Sequence, residues 1–315
     1  MQQKKVAGMI STDLTPYLEQ LIQRQTDQGG FSEQSGGIDQ PDATAWAICI
    51  LQHDEQFTSQ LKPARDYLTK NQLKNGSVPI VQEHPDTVWP TPLAVLAWHS
   101  SSDHQAQQKQ AIEFLLSRYG HHWASNQQKE DSLLEHDPSI HGWPWVANTH
   151  SWVSPTALAM LALSVTGHGN NERVKEGTEM IVNRQLPHGG WNYGNTFVWG
   201  QELRPFPETT GMALNALAGR ASPNQVERSL EYLARELPTL RTPIALGWGL
   251  LGLAAWQQRP AQWQTLIQRC FEQQARYGLY NTTSLSLLLA ASIASEGLES
   301  LFNLYDKTIA HRIAI

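Results

Sequence analysis

The stretch that decides the fold is Leu186-Pro187-His188-Gly189-Gly190-Trp191, which follows an apolar run and Gln185. Glycine stands four residues after this glutamine, and an apolar residue stands six after it. The same order occurs in three further copies, which are Gln25 with Gly29 and Phe31, Gln72 with Gly76 and Val78, and Gln274 with Gly278 and Tyr280. A helix that ends in a glycine turn and leads to an apolar anchor has this order. Each copy therefore predicts the end of a helix.

A second helical segment rich in Ala and Leu follows each turn. Six such segments occupy residues 42–48, 91–96, 154–160, 209–214, 242–246 and 281–285. They continue as runs that are apolar nearly all round, which predicts buried helices. The helices before the turns carry charges such as Lys175 and Glu176, and we expect them to face water. Repeats of this size indicate an array of helix pairs. We predict an all-α (α/α)6 toroid of six helical pairs, with an apolar inner ring and a polar outer ring.

The repeats extend from about residue 14 to about residue 295 of the 315-residue chain, so we predict a single domain over residues 1–315. Two insertions interrupt them, at about 119–151 and 192–207. Loops of this length in a compact domain are usually functional or disordered. Both contain Trp and Pro rather than runs of charge, so we expect ordered loops over one mouth of the ring.

Composition excludes several classes of protein. A net charge of −6 gives no electrostatic footprint for nucleic acid. The first eleven residues lack the apolar core of a secretion signal, and no apolar stretch reaches membrane-spanning length, so we predict a cytoplasmic protein. Peripheral membrane contact stays open. Two cysteines, Cys49 and Cys270, do not suggest a disulfide framework. Structural zinc sites prefer tighter spacings than that of His136 and His141 and usually include cysteine, so we expect no metal.

The Gln-x3-Gly-x-aromatic pattern, in Gln25 to Phe31 and in Gln185 to Trp191, resembles the QW repeats of squalene–hopene cyclases. Through these repeats the chain resembles the terpenoid cyclase and protein prenyltransferase superfamily over most of its length. The resemblance implies a toroid with a central apolar funnel that accepts an isoprenoid chain. Full-length triterpene cyclases resemble two such domains, whereas this chain has the length of one.

The catalytic motifs of that superfamily match less closely. Class II cyclases carry Asp-x-Asp-Asp-Thr-Ala at the start of an inner helix, and their middle Asp protonates an alkene. The nearest match here is residues 39–45, in which Asp39 and Asp42 match the outer carboxylates and Pro41 stands in place of the acid. The sequence contains no Asp-Asp-x-x-Asp motif for magnesium and diphosphate, and neither cysteine matches the zinc site of protein prenyltransferases. We therefore predict no cofactor.

Asp42 and Asp39 are the first candidate catalytic residues. Superimposing the predicted inner helices aligns Asp42 with Trp89, Ser154, Glu208, Thr242 and Asn281. Because Asp, Ser, Thr and Asn are preferred N-caps, the simplest interpretation of Asp42 is a cap, which would lower its pKa. An acid that protonates an alkene must instead be protonated and desolvated, and a proton shared with Asp39 would favour that state.

Glu208 is the third candidate catalytic residue. Glutamate is a poor N-cap, and Thr209 beside it could cap the helix. Glu208 would then be an acid at the ring mouth without a structural role. A solvated loop glutamate and an ion pair with Arg204 are the alternative interpretations.

Six tryptophans are candidate substrate-binding residues, because aromatic faces attract a passing carbocation. They are Trp46, Trp89, Trp143, Trp145, Trp152 and Trp248. The alternative for each is simple packing, which we prefer for Trp191 in its glycine turn.

Two functional hypotheses follow. The first is an isoprenoid-binding enzyme, a class II-like terpene cyclase that protonates a polyprenyl alkene in a central apolar cavity. The second is a non-catalytic toroid that binds a lipid or a protein partner, which Pro41 favours.

Overall fold

The structure is a computed structural model that describes residues 13–122 and 136–302. Six helices form an outer layer: α1 (Thr15–Ile22), α3 (Thr58–Asn71), α5 (Gln105–Ser117), α7 (Glu172–Asn183), α9 (Pro223–Glu236) and α11 (Trp263–Glu272). Six form an inner layer: α2 (Pro41–Leu51), α4 (Pro90–Trp98), α6 (Val153–Val165), α8 (Pro207–Leu217), α10 (Pro243–Ala255) and α13 (Thr282–Ile293). The short helix α12 (Gln274–Tyr277) follows α11.

The inner helices form a closed ring. Each packs against the inner helix of the next pair, and α13 packs against α2. Every residue of α2 and of α4 is buried, as are nearly all residues of the other four. The predicted toroid of six pairs is therefore confirmed, including its apolar inner layer. That one domain covers residues 1–315 stays a prediction.

The repeated glutamines join neighbouring outer helices. The Gln25 side-chain amide donates to the Gly29 carbonyl of its own turn at 3.0 Å and to the Gln60 carbonyl of α3 at 2.9 Å. Gln72 makes the same pair of bonds one repeat later, to Gly76 and to a carbonyl of α5. At the last repeat, the amide of Gln20 in α1 donates to the Gln274 side-chain oxygen at 3.0 Å. This bond helps to close the outer layer.

A threonine in the first turn of four inner helices holds the turn before it. The backbone N–H of Phe31 donates to the Thr44 hydroxyl at 2.8 Å. The equivalent bonds join Val78 to Thr91, Trp143 to Thr156, and Trp191 to Thr210. The two residues are 13 apart in the first three pairs and 19 apart in the fourth. These threonines align the four helices and fix which side of each faces its outer partner.

Helices α8 and α10 lie so close together that only glycine fits at their contact. A Cβ added to Gly211 would lie 2.3 Å from the Trp248 carbonyl oxygen, and one added to Gly252 would lie 2.6 Å from the Gly211 oxygen. Glycine at both positions lets the two backbones touch. The ring is therefore tightest between these two helices.

The two ends of the ring differ. We call the end where the inner helices finish the covered end. There the 3-10 helix Leu298–Leu301 packs on α13 and α6. The Leu298 backbone N–H donates to the side-chain oxygen of Asn215 in α8 at 3.1 Å. The Phe302 ring packs edge-on against His99, which follows α4. This segment is buried and lies across the ends of several inner helices.

The end where the inner helices begin is called the mouth end, and it carries exposed apolar side chains. Every exposed large hydrophobic side chain in the described part of the chain lies between the end of an outer helix and the first turn of the following inner helix. These residues are Ile38, Val81, Tyr119, Val146, Tyr193, Trp199, Phe206, Ile244, Tyr277 and Leu279. Within residues 13–122 and 136–302, no helix combines the length and the apolar character needed to cross a membrane.

The two insertions also lie at the mouth end. Residues 192–206 are ordered and contain a hairpin of β1 (Phe197–Val198) and β2 (Gln201–Glu202). The first insertion is described for residues 118–122 and 136–152, and residues 123–135 lie outside the described chain. Wherever the two insertions are described, they thus form loops at the mouth end.

The predicted caps are right for two inner helices and wrong for others. Thr242 and Asn281 are N-caps whose side chains accept backbone N–H bonds. Asp42 is not a cap, because α2 begins one residue earlier, at Pro41. Glu208 was expected not to cap α8, and it does not, since that helix begins at Pro207. Thr209 does not cap α8 either, since its hydroxyl is buried without a hydrogen-bond partner among the described residues. The proline fixes the helical φ at the first position, so these helices start without a side-chain cap.

Candidate functional site

Asp42 lies on the side of α2 that faces the ring centre. The Thr44 hydroxyl bonds to the outer turn, and Asp42 precedes it by two residues, about 200° around a helix. Trp46, one turn further on, shares the side of Asp42. The Trp46 indole meets that of Trp248 on α10 with ring centroids 5.9 Å apart. Because α13 stands between α2 and α10 in the ring, this contact crosses its interior.

Burial changes the acidity of Asp42. The residue is 7% exposed, and its Oδ1 is buried without a hydrogen-bond partner among the described residues. Burial raises the pKa of Asp42 to about 6, with a smaller contribution from the negative charge of Glu33, against the opposing effect of first-turn N–H groups. The carboxyl therefore keeps its proton to a higher pH than a solvated aspartate, as an acid requires. The lowered pKa expected of a capping Asp42 was wrong.

Asp39 lies in the turn before α2 and is half-buried. Its Oδ2 is buried and makes no hydrogen bond to a described residue. The Tyr67 hydroxyl of α3 donates to the Asp39 backbone carbonyl at 3.1 Å, which fixes this turn against the outer layer. The neighbouring negative charge that adds to the effect of burial on the pKa of Asp42 belongs to Glu33. Sequence reasoning missed Glu33, whose carboxylate accepts bonds from Thr283 across the first and last repeats.

Glu208 occupies the position of Asp42 on α8. Thr210, two residues later, bonds to the outer turn, so Glu208 also lies toward the ring centre. It is half-buried, and no ion pair with Arg204 is present in the described chain. Helices α2 and α8 are three places apart in a ring of six, so Asp42 and Glu208 begin from opposite sides of it.

The other candidate tryptophans fall into two groups. Trp89 and Trp145 pack edge to face with centroids 5.8 Å apart at the start of α4, and Trp152 precedes α6. These three are half-buried at the mouth end. Trp143 is fully buried outside the ring, where its indole N–H donates to the Leu115 carbonyl of α5 and its ring faces Arg173 of α7. This placement does not support the predicted substrate-binding role of Trp143.

Trp143 is in fact the turn aromatic of the third repeat, equivalent to Trp191. The indole of Trp191 donates in the same way to the Ile181 carbonyl. The first insertion separates Trp143 from its outer helix, so the glutamine-to-aromatic spacing is lost. The signal that survives in the sequence is the spacing of 13 residues to Thr156.

The histidines of the first insertion gather near the end of α7. The His122 and His141 rings meet at 4.2 Å, and His136 is buried. Within the part of the chain that the structure describes, no group of three His, Cys, Asp or Glu side chains is arranged to hold a metal ion.

Comparisons with known proteins agree with this architecture. The type II terpene cyclase MstE from Scytonema has 14% sequence identity, with 89% of this chain and 98% of that chain covered and a TM-score of 0.59. The GH76A alpha-1,6-mannanase from Salegentibacter sp. HEL1_6 has 12% identity, with 90% and 98% covered and a TM-score of 0.60. A protein from Actinoplanes has 15% identity, with 95% and 100% covered and a TM-score of 0.57. At these identities the likeness shows the fold alone. No protein-family model matches the chain, and no curated protein sequence does.

Proposed function

We propose that this protein binds an isoprenoid chain and cyclises it by protonating an alkene, as a class II-like terpene cyclase. The proposal rests on the state of Asp42. Its pKa is raised to about 6, and its Oδ1 has no hydrogen-bond partner among the described residues. The residue lies on the same side of α2 as Trp46. The Asp42 carboxyl would give its proton to the alkene. The resulting cation would be attracted to the Trp46 and Trp248 indoles. Glu208, on the opposite side of the ring, is the candidate carboxylate that takes a proton back, so the net reaction is an isomerisation.

Two further observations support this proposal. The surface of the mouth end is rimmed by exposed apolar side chains, which suits a hydrophobic substrate. MstE has been solved with geranylgeranyl dihydroxybenzoate as substrate and with merosterolic acid A as product. Pro41 stands where the resembled motif has its acid, and it begins α2 so that the next residue, Asp42, enters the first turn. Asp42 is therefore proposed to replace the missing acid.

Incubation with squalene and with C15 to C20 prenyl diphosphates, followed by mass spectrometry of extracted products, tests the proposal. We expect the wild type to form a cyclic product and Asp42→Asn to lose it, because the amide has no acidic proton to give. Asp27→Asn is the matched control, since Asp27 is exposed in an outer turn. A wild type that yields no cyclic product, or an Asp42→Asn variant with full activity, would overturn the cyclase assignment.

The alternative is a non-catalytic toroid that binds a lipid or a protein partner. Pro41 favours it, because the residue that performs the chemistry in the resembled motif is absent. The mannanase among the structural neighbours shows that one toroid carries unrelated functions. Binding of a prenyl alcohol with unchanged recovery of that alcohol, together with no product from any substrate, would select this alternative.

A further inference from the structure

A pocket lies at the mouth end between the two insertions, away from Asp42. It has a volume of about 220 Å³, and its lining includes His122, His136, Trp152, Arg184 and Asn195. No lining residue belongs to α2, α8 or α10. The proposed cyclase function does not use this pocket.

Arg184 gives the pocket a buried positive charge. The residue is 6% exposed, and one terminal N–H group of its guanidinium donates to the Gly194 carbonyl at 2.8 Å. Among the described residues, its Nε has no hydrogen-bond partner and no carboxylate lies within ion-pair distance, although the charge of Asp137 acts on it from further away. Burial lowers the pKa of Arg184 to about 10, so it stays charged at neutral pH. A buried cation without an anionic partner is costly unless a ligand supplies the anion.

His136 adds a second unsatisfied group. It is 5% exposed, and its Nδ1 is buried without a hydrogen-bond partner in the described residues. The nearest carboxylate in sequence, Asp137, is already occupied by bonds from the Ser139 N–H and hydroxyl at 2.8 and 2.6 Å. Among the residues that the structure describes, no acidic side chain lines the pocket. An incoming anion would therefore meet donors in the pocket wall, while the charge of Asp137 acts on Arg184 and His136 from outside the lining.

The wall of the pocket is held in place. His122 Nδ1 bonds to the Pro138 carbonyl at 3.0 Å, which assigns the proton to that nitrogen. His122 Nε2 then accepts from the Ser151 hydroxyl at 3.3 Å. Ser151 also accepts from the Gly142 N–H. These hydrogen bonds join the part of the insertion before residue 123 to the part after residue 135.

We propose that this pocket binds an oxyanion of the phosphate or diphosphate type. Arg184 would supply the charge and a hydrogen bond from Nε, and His136 would supply a second donor. Guanidinium groups suit phosphate oxygens because their N–H donors lie in one plane. The same positive charge disfavours a metal cation among the histidines. The phosphate could come from a free anion or from the head group of a prenyl diphosphate.

Thermal unfolding and calorimetry with inorganic phosphate and diphosphate, at ionic strength matched with chloride, test the proposal. We expect both anions to raise the Tm of the wild type in a concentration-dependent way. Arg184→Gln and His136→Gln should each weaken binding by about ten-fold or more. Arg259→Gln is the matched control, because Arg259 is half-buried at the covered end and donates to the carbonyls of Ala291 and Ala294.

Two further comparisons make the outcome decisive. Circular dichroism checks that each variant is folded, and His136→Gln, which removes no charge, decides the matter if Arg184→Gln does not fold. Farnesyl diphosphate binding at least about ten-fold tighter than inorganic diphosphate would identify a prenyl head group as the source, and equal binding would identify the free anion. No Tm shift in the wild type beyond that in chloride, or unchanged binding in the folded variants, would overturn the proposal.

Discussion

Asp42 should make stability depend on pH. Its carboxyl has a pKa of about 6 in the folded state, whereas the ordinary pKa of an aspartate side chain is 3.8. Between these values the folded chain holds more protons than the unfolded chain, so the free energy of unfolding falls as pH rises. A shift of about two pKa units corresponds to roughly 2–3 kcal/mol, all of it lost above pH 6. We expect Asp42→Asn to be more stable than the wild type by about this amount at pH 7.

The measurement is urea unfolding of both proteins at pH 4 and pH 7. Histidines with lowered pKa also titrate in this range, but they are common to both proteins and cancel in the difference. The two proteins should have similar stabilities at pH 4. An equal pH dependence in both would show that Asp42 does not hold its proton as described.

The repeated glutamines should tolerate little change. Gln72 donates from one amide nitrogen to the carbonyls of Gly76 and Gln107 at 3.0 and 2.9 Å. Gln72→Glu removes the donor and places a carboxylate against two carbonyl oxygens, so we expect a loss of roughly 2–4 kcal/mol. Chemical denaturation would measure it, with the exposed Gln28→Glu as the control near zero. Equal stability of the two variants would show that this amide bridge is not needed.

At the scale of single residues, sequence reasoning found the positions better than the roles. The glutamine and glycine of each turn were identified because backbone geometry constrains both. The raised pKa of Asp42 was not, because it comes mainly from burial of the carboxyl within the packed ring, with a smaller contribution from the charge of Glu33. The role of Trp143 was hidden by the insertion. Both failures come from contacts that no local spacing records.

The contact between α8 and α10 is the element-scale feature most sensitive to mutation. An added Cβ at Gly211 would overlap the Trp248 carbonyl at 2.3 Å, and both partners are helix backbone that cannot shift alone. We expect Gly211→Ala to destabilise the protein by roughly 2 kcal/mol or more, although alanine is the better helix former. Thermal unfolding would show this as a lower Tm.

The control for Gly211→Ala is Gly169→Ala, where an added Cβ would meet only ordinary contacts from 3.4 Å outward. Its effect should be within about 0.5 kcal/mol. A tolerated Gly211→Ala would mean that the two helices are further apart than described.

Helix positions followed from sequence because the inner segments are apolar on all sides and the outer ones are not. Helix starts were predicted less well. Proline at the first position of α2 and α8 set the boundary, and the polar residues after it were mistaken for caps. The distinction depends on one residue of register, which composition does not resolve.

Across the whole molecule, the segment over the covered end should contribute to global stability. Leu298 is 1% exposed and packs beneath the ends of the inner helices. Leu298→Ala should cost roughly 2–5 kcal/mol, since it opens a cavity in contact with several repeats. Urea unfolding followed by tryptophan fluorescence would measure the loss.

Leu279→Ala provides the comparison at the opposite end, because Leu279 is 66% exposed. We expect this variant to remain within about 0.5 kcal/mol of the wild type. If Leu298→Ala were as mild, the segment would be an accessory layer rather than part of the core. The ring and its order of pairs were predictable from repetition alone, but this cover was not, since it occurs once and follows no repeat.

The threonine bonds of the turns have a consequence for how the protein can diverge. Three of them span 13 residues, while the fourth spans 19 because a hairpin occupies the extra length, and the bond itself is the same. The length of the loop can therefore change while the threonine bond and the helices that it joins stay the same. Recognition segments of new length and chemistry could be exchanged at one face, in nature or by grafting, while the surrounding scaffold kept its geometry.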